Sequence, residues 1–132
     1  MKKEDHWKAY LEYKDNLFYW VMEVRGIEKS QRTIGLNVSR GIVELLSYFL
    51  HEKKLVDEGF QLNHRWFKSS KVSEKLPDFG NKNAIVEKMM ELENLSEKLI
   101  YGAPKTLEKI KRALELFRDL EETIVGMIDE KE

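Results

Sequence analysis

Four residues whose side chains could do chemistry stand within five positions of one short segment. The segment is QLNHRWFKSS (61–70), and the four residues are His64, Arg65, Trp66 and Lys68. A histidine can transfer a proton near neutral pH, and an arginine can hold phosphate oxygens through paired hydrogen bonds. A tryptophan can stack on a nucleobase. The segment could therefore cleave RNA, hold a nucleotide, or simply complete a short helix.

A second group of polar residues lies on a predicted long helix. Arg40, Glu44, Ser47 and His51 fall within about 60° of each other on a helical wheel, because 11 residues make three turns. This stripe could line a charged groove between two protomers, with Arg40 holding a phosphate. Alternatively it is the solvated back of an amphipathic helix, with Arg40 and Glu44 forming a pair worth about 0.2–0.5 kcal/mol.

The two groups together supply the candidate site residues. The catalytic candidates are His64, His51, Arg40 and Arg65, and the candidates for binding an anion or a nucleic acid are Arg65, Lys68, Trp66 and Arg40. In the short segment, the spacing of Leu62 with Trp66, or of His64 with Phe67, lets one face pack on the bundle. Arg65 and Lys68 would then face water. The alternative is a packed helix whose cations are only solvated.

Several other chemistries lack their sequence signals. The chain has no cysteine, which excludes disulfides, thiolate catalysis and cysteine-ligated metals. Its three histidines form no HExxH or ExxH pair, so no metal site is expected. Neither GxxxxGK[ST] nor GxGxxG occurs, and no serine has a GxSxG setting. We therefore expect no cofactor.

Length and charge limit the class of protein. A chain of 132 residues suits a single domain, 1–132. Lys and Arg total 23 against 24 Asp and Glu, a net charge of −1 that argues against a nonspecific DNA coat protein. A local basic patch stays compatible with this balance. Because the N-terminus lacks the apolar run of a signal peptide and no stretch approaches 18 apolar residues, we expect a cytoplasmic protein without membrane spans.

Apolar residues recur at steps of three and four, which predicts helices and no strands. The predicted helices cover Asp5–Arg25, Gln31–Asp57, Gln61–Ser69, a range from Asn81 or Asn83 to Tyr101, and a range from Pro104 to a tail at 129–132 that is expected to fray. A polar linker (71–83) precedes the fourth helix. The sequence thus predicts an all-α antiparallel bundle of about five helices.

The second helix is apolar over nearly half its circumference, so it should pack against several neighbours. Gly35 and Gly41 inside it are tolerable where another helix approaches closely, or they mark a bend. The first helix has more aromatic residues than one stripe needs, and its inward stripe is predicted to run as far as Val24. This surplus predicts a homodimer through both helices, with candidate interface residues Phe18, Trp20, Leu46 and Leu50.

The order of these features resembles the HEPN domain family. SRGIVELLSYFLHEKKLVDEG (39–59) resembles the family's second long helix, and QLNHRWFKSSKV (61–72) resembles its short helix with an early histidine. LENLSEKLIYGAP (92–104) is similar to a segment that often reads Leu, spacer, Arg, four residues, Tyr-Gly. TLEKIKRALELFRDLEE (106–122) resembles the C-terminal amphipathic helix. The resemblance covers essentially the whole chain in element order, with few identities.

The resemblance implies an all-α dimer that is either a metal-independent endoribonuclease or a partner of a nucleotidyltransferase in a toxin–antitoxin pair. Active members carry Arg, four to six residues, then His, and this chain has no such pair. Alignment on Tyr101-Gly102 places Ser96 where relatives have the arginine. Ser96 lies in an apolar stripe and is predicted to be buried, and Tyr101 is predicted to pack.

Three functions are compatible with these features. The first is a non-catalytic, HEPN-like homodimeric interaction module that contacts RNA or a nucleotidyltransferase-type partner. The second is a divergent metal-independent endoribonuclease or toxin–antitoxin component, with a site assembled from Arg40, His51, His64 and Arg65. The third is a helical scaffold unrelated to HEPN proteins.

Overall fold

The computed structural model describes residues 1–130, which contain helices and turns and no strand. The five α-helices are α1 Lys3–Asp15, α2 Gln31–Glu52, α3 Val72–Lys75, α4 Lys82–Tyr101 and α5 Leu107–Asp129. A π-helical segment, Asn16–Arg25, continues α1, and 3₁₀ turns occupy Ile27–Lys29 and His64–Lys68. The predicted all-α bundle is confirmed. Of the tail predicted to fray, Asp129 ends α5, and residues 131–132 lie outside the described residues.

Side-chain contacts between α1 and α2 show that these two helices run antiparallel. Lys3 at the start of α1 lies 2.9 Å from the Glu52 carboxylate at the end of α2. At the opposite end of the pair, Asn16 Nδ2 donates to Asn37 Oδ1 at 3.1 Å.

Burial of Tyr10, together with the hydrogen bond that its hydroxyl donates to Glu121 on α5, raises the pKa of this tyrosine above its usual range.

Helices α2 and α4 are also antiparallel. Gln31 Nε2 donates to the Leu99 carbonyl at 3.1 Å, and Ser39 Oγ donates to Glu93 Oε2 at 2.7 Å. Helix α2 also packs on α5, so it touches every other long helix. This position explains why its apolar arc is so wide: 13 of its 22 residues are buried.

Two of the four predicted dimer-interface residues belong to this core, and that part of the prediction was wrong. Leu46 and Leu50 are 0% exposed in a single chain, since α1, α4 and α5 surround the arc that was assigned to a second copy. Phe18 is half-buried against Phe117, with ring centroids 5.9 Å apart. Trp20 remains 52% exposed. Homodimerisation itself stays a prediction.

The π-helical segment changes which residues of the first helix face inward. Each π turn holds one more residue than an α turn, as in the bond from Gly26 N to Val21 O at 2.7 Å. Leu17 and Val21 are buried four residues apart, whereas Val24, which an α-helical stripe would bury, is 56% exposed. Because the wider turn rotates the chain less per residue, Val24 stops short of the inward face. The predicted stripe was therefore wrong at its C-terminal end.

Other helix boundaries differ from the predicted ones for local reasons. Helix α2 ends at Glu52, five residues early, and Lys54 has a left-handed φ of 56° that an α-helix cannot contain. The start of α2 at Gln31 agrees with the prediction, and the hydroxyl of the preceding Ser30 donates to the Gly26 carbonyl at 2.8 Å. Helix α5 begins at Leu107, after Thr106, whose hydroxyl accepts from Lys109 N at 3.4 Å.

The two glycines of α2 lie where neighbouring helices approach closely, which was one of the two predicted alternatives. A Cβ at Gly35 would lie 2.9 Å from Leu99 Cβ and 3.0 Å from the Ser96 carbonyl oxygen. A Cβ at Gly41 would lie 3.1 Å from the Phe117 ring. All three distances are shorter than ordinary van der Waals contact. The absence of side chains here brings α2 close to α4 and α5.

The same substitution at two glycines is expected to change stability in opposite directions. Gly35→Ala forces a methyl group against the α4 backbone and should lower the free energy of unfolding by roughly 1–3 kcal/mol. Gly126 is exposed within α5, and a methyl group added there would meet open space. Gly126→Ala should raise the free energy of unfolding by about 0.5–1 kcal/mol. Urea unfolding followed by circular dichroism measures both. Equal signs would contradict the close approach at Gly35.

Candidate functional site

The His64–Lys68 turn is fixed on the bundle by three local features. Asn63 Oδ1 accepts from Arg65 N at 2.9 Å and caps the turn. Phe67 is buried in the core, as predicted. Trp66 packs edge-on against Phe60, at 6.1 Å between ring centroids, and the Lys75 ammonium lies 4.7 Å from the Trp66 ring centre. The indole is thus half-buried and in contact with two side chains of the same chain, and its role in nucleic-acid binding stays a prediction.

Beside this turn runs a surface groove made of two adjoining hollows, of about 450 and 430 Å³. Arg40, His64 and Arg65 line both hollows. The first continues past Tyr13, Val43, Glu44, Leu62 and Asn63, and the second past Lys68, Glu93, Glu97, Ile100 and Tyr101. The fold therefore brings together three of the four catalytic candidates and three of the four anion-binding candidates.

A buried carboxylate on α4 orients the histidine of the groove. His64 Nδ1 lies 2.7 Å from Glu93 Oε1, and Glu93 is only 5% exposed. An ionised carboxylate there requires the proton on Nδ1, which makes Nε2 the acceptor nitrogen of a neutral ring. Nε2 has no hydrogen-bond partner among residues 1–130, and it is not a buried atom. The histidine can thus accept a proton from a molecule in the groove.

The same carboxylate is linked to the arginine of α2. Ser39 Oγ donates to Glu93 Oε2 at 2.7 Å and accepts from Arg40 Nη1 at 2.8 Å. The Ser39–Glu93 hydrogen bond is buried and protected from water, and the Arg40–Ser39 bond is partly buried. The chain Arg40–Ser39–Glu93–His64 holds the guanidinium and the imidazole in a fixed relation across two helices.

The acidic groups of the groove already have partners, whereas its two guanidinium groups have no carboxylate partner within the described chain. Glu44 lies 2.6 Å from His6 Nδ1, so the proposed Arg40–Glu44 pair is not formed. Lys68 lies 2.9 Å from Glu97, and both side chains are well exposed, so this pair is weak and a phosphate could replace the carboxylate. Arg40 and Arg65 are left to bind an added anion.

His51 does not belong to the groove, which corrects its place among the catalytic candidates. Its ring stacks on His6 with centroids 5.3 Å apart, and its Nε2 lies 3.2 Å from the Phe60 carbonyl oxygen. Ser47, on the same predicted polar stripe, is buried and donates to the Val43 carbonyl at 2.8 Å. The stripe is therefore divided. Arg40 and Glu44 border the groove, while His51 and Ser47 support the packing of α2.

Two groove residues were missed or misassigned from the sequence. Glu93 stands four residues after Met89 and three before Ser96, so it lies on the same helix face as these two buried residues. A carboxylate on this inward face indicates a buried polar contact, and this indication was missed. Ser96 is buried, as predicted. Tyr101 was predicted to pack, yet it is 78% exposed at the C-terminal end of α4.

Comparison with protein-family models, with curated proteins and with solved structures found no match. Within residues 1–130, no group of three or more His, Asp or Glu side chains has the arrangement of a metal site. No helix in that range is both long and apolar enough to cross a membrane.

Proposed function

We propose that the protein is a HEPN-like module that binds RNA in the groove through the phosphate backbone. The observation that carries this proposal is that Arg40 and Arg65 line both hollows of the groove together with His64, with neither guanidinium paired to a carboxylate among residues 1–130. A guanidinium binds phosphate oxygens through two parallel hydrogen bonds. The helical order and the central position of α2 support the HEPN-like assignment.

A chain of phosphates suits this groove better than a single small anion does. Cationic groups line its whole length, because Arg40 and Arg65 border both hollows and Lys68 borders the second. The near-neutral net charge of the whole chain means that attraction must come from this local arrangement. RNA binding should therefore be modest in affinity and sensitive to salt.

Titration of a fluorescein-labelled 12-nucleotide RNA with the wild-type protein, followed by anisotropy, tests the proposal. Two or three phosphate contacts on a single strand predict that log K falls with log[salt] at a slope of about −1.4 to −2. A salt series between low and physiological ionic strength measures this slope. Absence of binding at low salt and micromolar protein would refute RNA binding in the groove.

A second candidate function is metal-independent RNA cleavage, which the His64–Glu93 pair specifically favours. The unpartnered Nε2 can take the proton of a ribose 2′-hydroxyl, whose oxygen then attacks the adjacent phosphorus. The bond to the 5′-oxygen breaks, and that oxygen takes a proton from water. The products are a 2′,3′-cyclic phosphate and a 5′-hydroxyl. Arg40 and Arg65 would stabilise the charge that develops on the phosphate.

Cleavage would depend on His64 and not on His51. With structured RNA and a chelator present, His64→Ala should lower the cleavage rate about 10²–10⁴-fold, the usual contribution of a general base. His51→Ala is the matched control, because His51 packs on His6 outside the groove. Gel electrophoresis of the RNA measures the rate. No cleavage by the wild type, or equal cleavage by the two variants, would eliminate this function.

A further inference from the structure

Tyr101 is the most exposed large apolar side chain of the described chain. It is the last residue of α4 and lines the second hollow of the groove beside Arg65 and Lys68. The other strongly exposed aromatic residues, Tyr19 and Trp20, contact each other edge-on, whereas Tyr101 makes no aromatic contact within residues 1–130. A phenol ring is therefore available at the edge of the groove, in a hollow where Glu93 and Glu97 are paired with His64 and Lys68 and the Arg65 guanidinium has no carboxylate partner within residues 1–130.

We propose that Tyr101 is a stacking platform for an unpaired base, so that the groove selects single-stranded RNA over duplex RNA. This inference rests on the proposed RNA binding and adds a specificity-determining residue to it. Both faces of an internal base in a duplex are covered by its neighbours, and only an unpaired base can give one face to an aromatic ring. Stacking of this kind tolerates any base, because every base has a π-face.

The chemistry of the second hollow fits one nucleotide. Its volume of about 430 Å³ lies in the range of sites that hold small molecules. Ile100 adds an apolar surface beside Tyr101, and the Arg65 guanidinium supplies the phosphate contact. The hollow thus combines an apolar surface, which suits the base of a nucleotide, with a cationic group, which suits its phosphate. Trp66 does not provide this platform because it lines neither hollow, and Phe60 and Lys75 contact its ring.

Three probes separate the stacking contact from the phosphate contacts. They are a labelled 12-nucleotide single-stranded RNA, the same RNA annealed to its complement, and a 12-nucleotide abasic strand that keeps the phosphates. The wild type is expected to bind the single strand at least about fivefold more tightly than the duplex. Tyr101→Ala should weaken binding of the single strand roughly 5- to 100-fold and leave binding of the abasic strand unchanged.

Two variants serve as controls. Tyr101→Phe keeps the ring and should bind the single strand within about twofold of the wild type. Tyr19→Ala removes an exposed tyrosine outside the groove and should have no effect. An unchanged affinity of Tyr101→Ala for the single strand, or an equal loss for the abasic strand, overturns the stacking role while RNA binding stands. Absence of binding to all three probes overturns both proposals.

Discussion

Exchanging Arg40 and Arg65 together for alanine is expected to weaken RNA binding about 10²–10⁴-fold. A hydrogen bond to a charged group contributes roughly 1.5–3 kcal/mol, which is about tenfold to a hundredfold in affinity for each arginine. Neither guanidinium has to leave a carboxylate before it can bind phosphate. Each single substitution should therefore weaken RNA binding by nearly the full tenfold to hundredfold assigned to its arginine. The salt slope should also fall by about 1.4, because two phosphate contacts are lost.

The matched control is the double variant with Arg25→Ala and Arg118→Ala. It removes the same charge, but Arg25 ends the π-helical segment and Arg118 lies over the Phe18 ring, both outside the groove. Anisotropy with the labelled single strand compares the two double variants and the wild type. If both double variants lose the same affinity, binding depends on net charge, and the groove is not the site.

Phe117→Ala is expected to lower the free energy of unfolding by about 3–5 kcal/mol. Phe117 is 0% exposed, and its ring fills the space that Gly41 leaves between α2 and α5. It also contacts Phe18, so it joins three helical segments at one point. Truncation leaves a cavity that the glycine cannot fill. Surrounding backbone can relax only in part, which places the cost at the upper end for core residues.

Urea unfolding of Phe117→Ala measures this loss, with Leu107→Ala as the control. Leu107 begins α5 and is partly exposed, so its truncation removes less buried area and should cost under about 1.5 kcal/mol. Similar losses in the two variants would show that the α2–α5 contact is not a centre of stability.

Periodicity predicted the helices well where one register held throughout. Helices α4 and α5 repeat at steps of three and four, and their described extents agree with the prediction to within a few residues. It failed at Val24, because a change from α to π register leaves no mark in an apolar pattern. It also failed at Leu46 and Leu50. A wide apolar arc reveals that a face is covered, but not whether the same chain covers it.

The sequence identified several residues of the site but not how they are arranged in space. Arg40 and His64 are 24 positions apart, and their proximity arises from the return of the chain through the loop after α2. The sequence predicted that His64 and Arg65 lie on one short helix. It did not predict that the Glu93 carboxylate contacts His64. The choice between Trp66 and Tyr101 as the free aromatic depends on Phe60 and Lys75, whose contacts no spacing rule indicates.

The π-helical segment gives the first helix a tolerance for changes in chain length that α2 lacks. Ten residues wound in the wider register can lose one by returning to α turns, while Leu17 and Val21 keep their inward positions. In α2 the same deletion ahead of Arg40 would rotate that residue by about 100° away from the groove. One half of this helical pair can absorb a deletion, and the half that carries the arginine must keep its length.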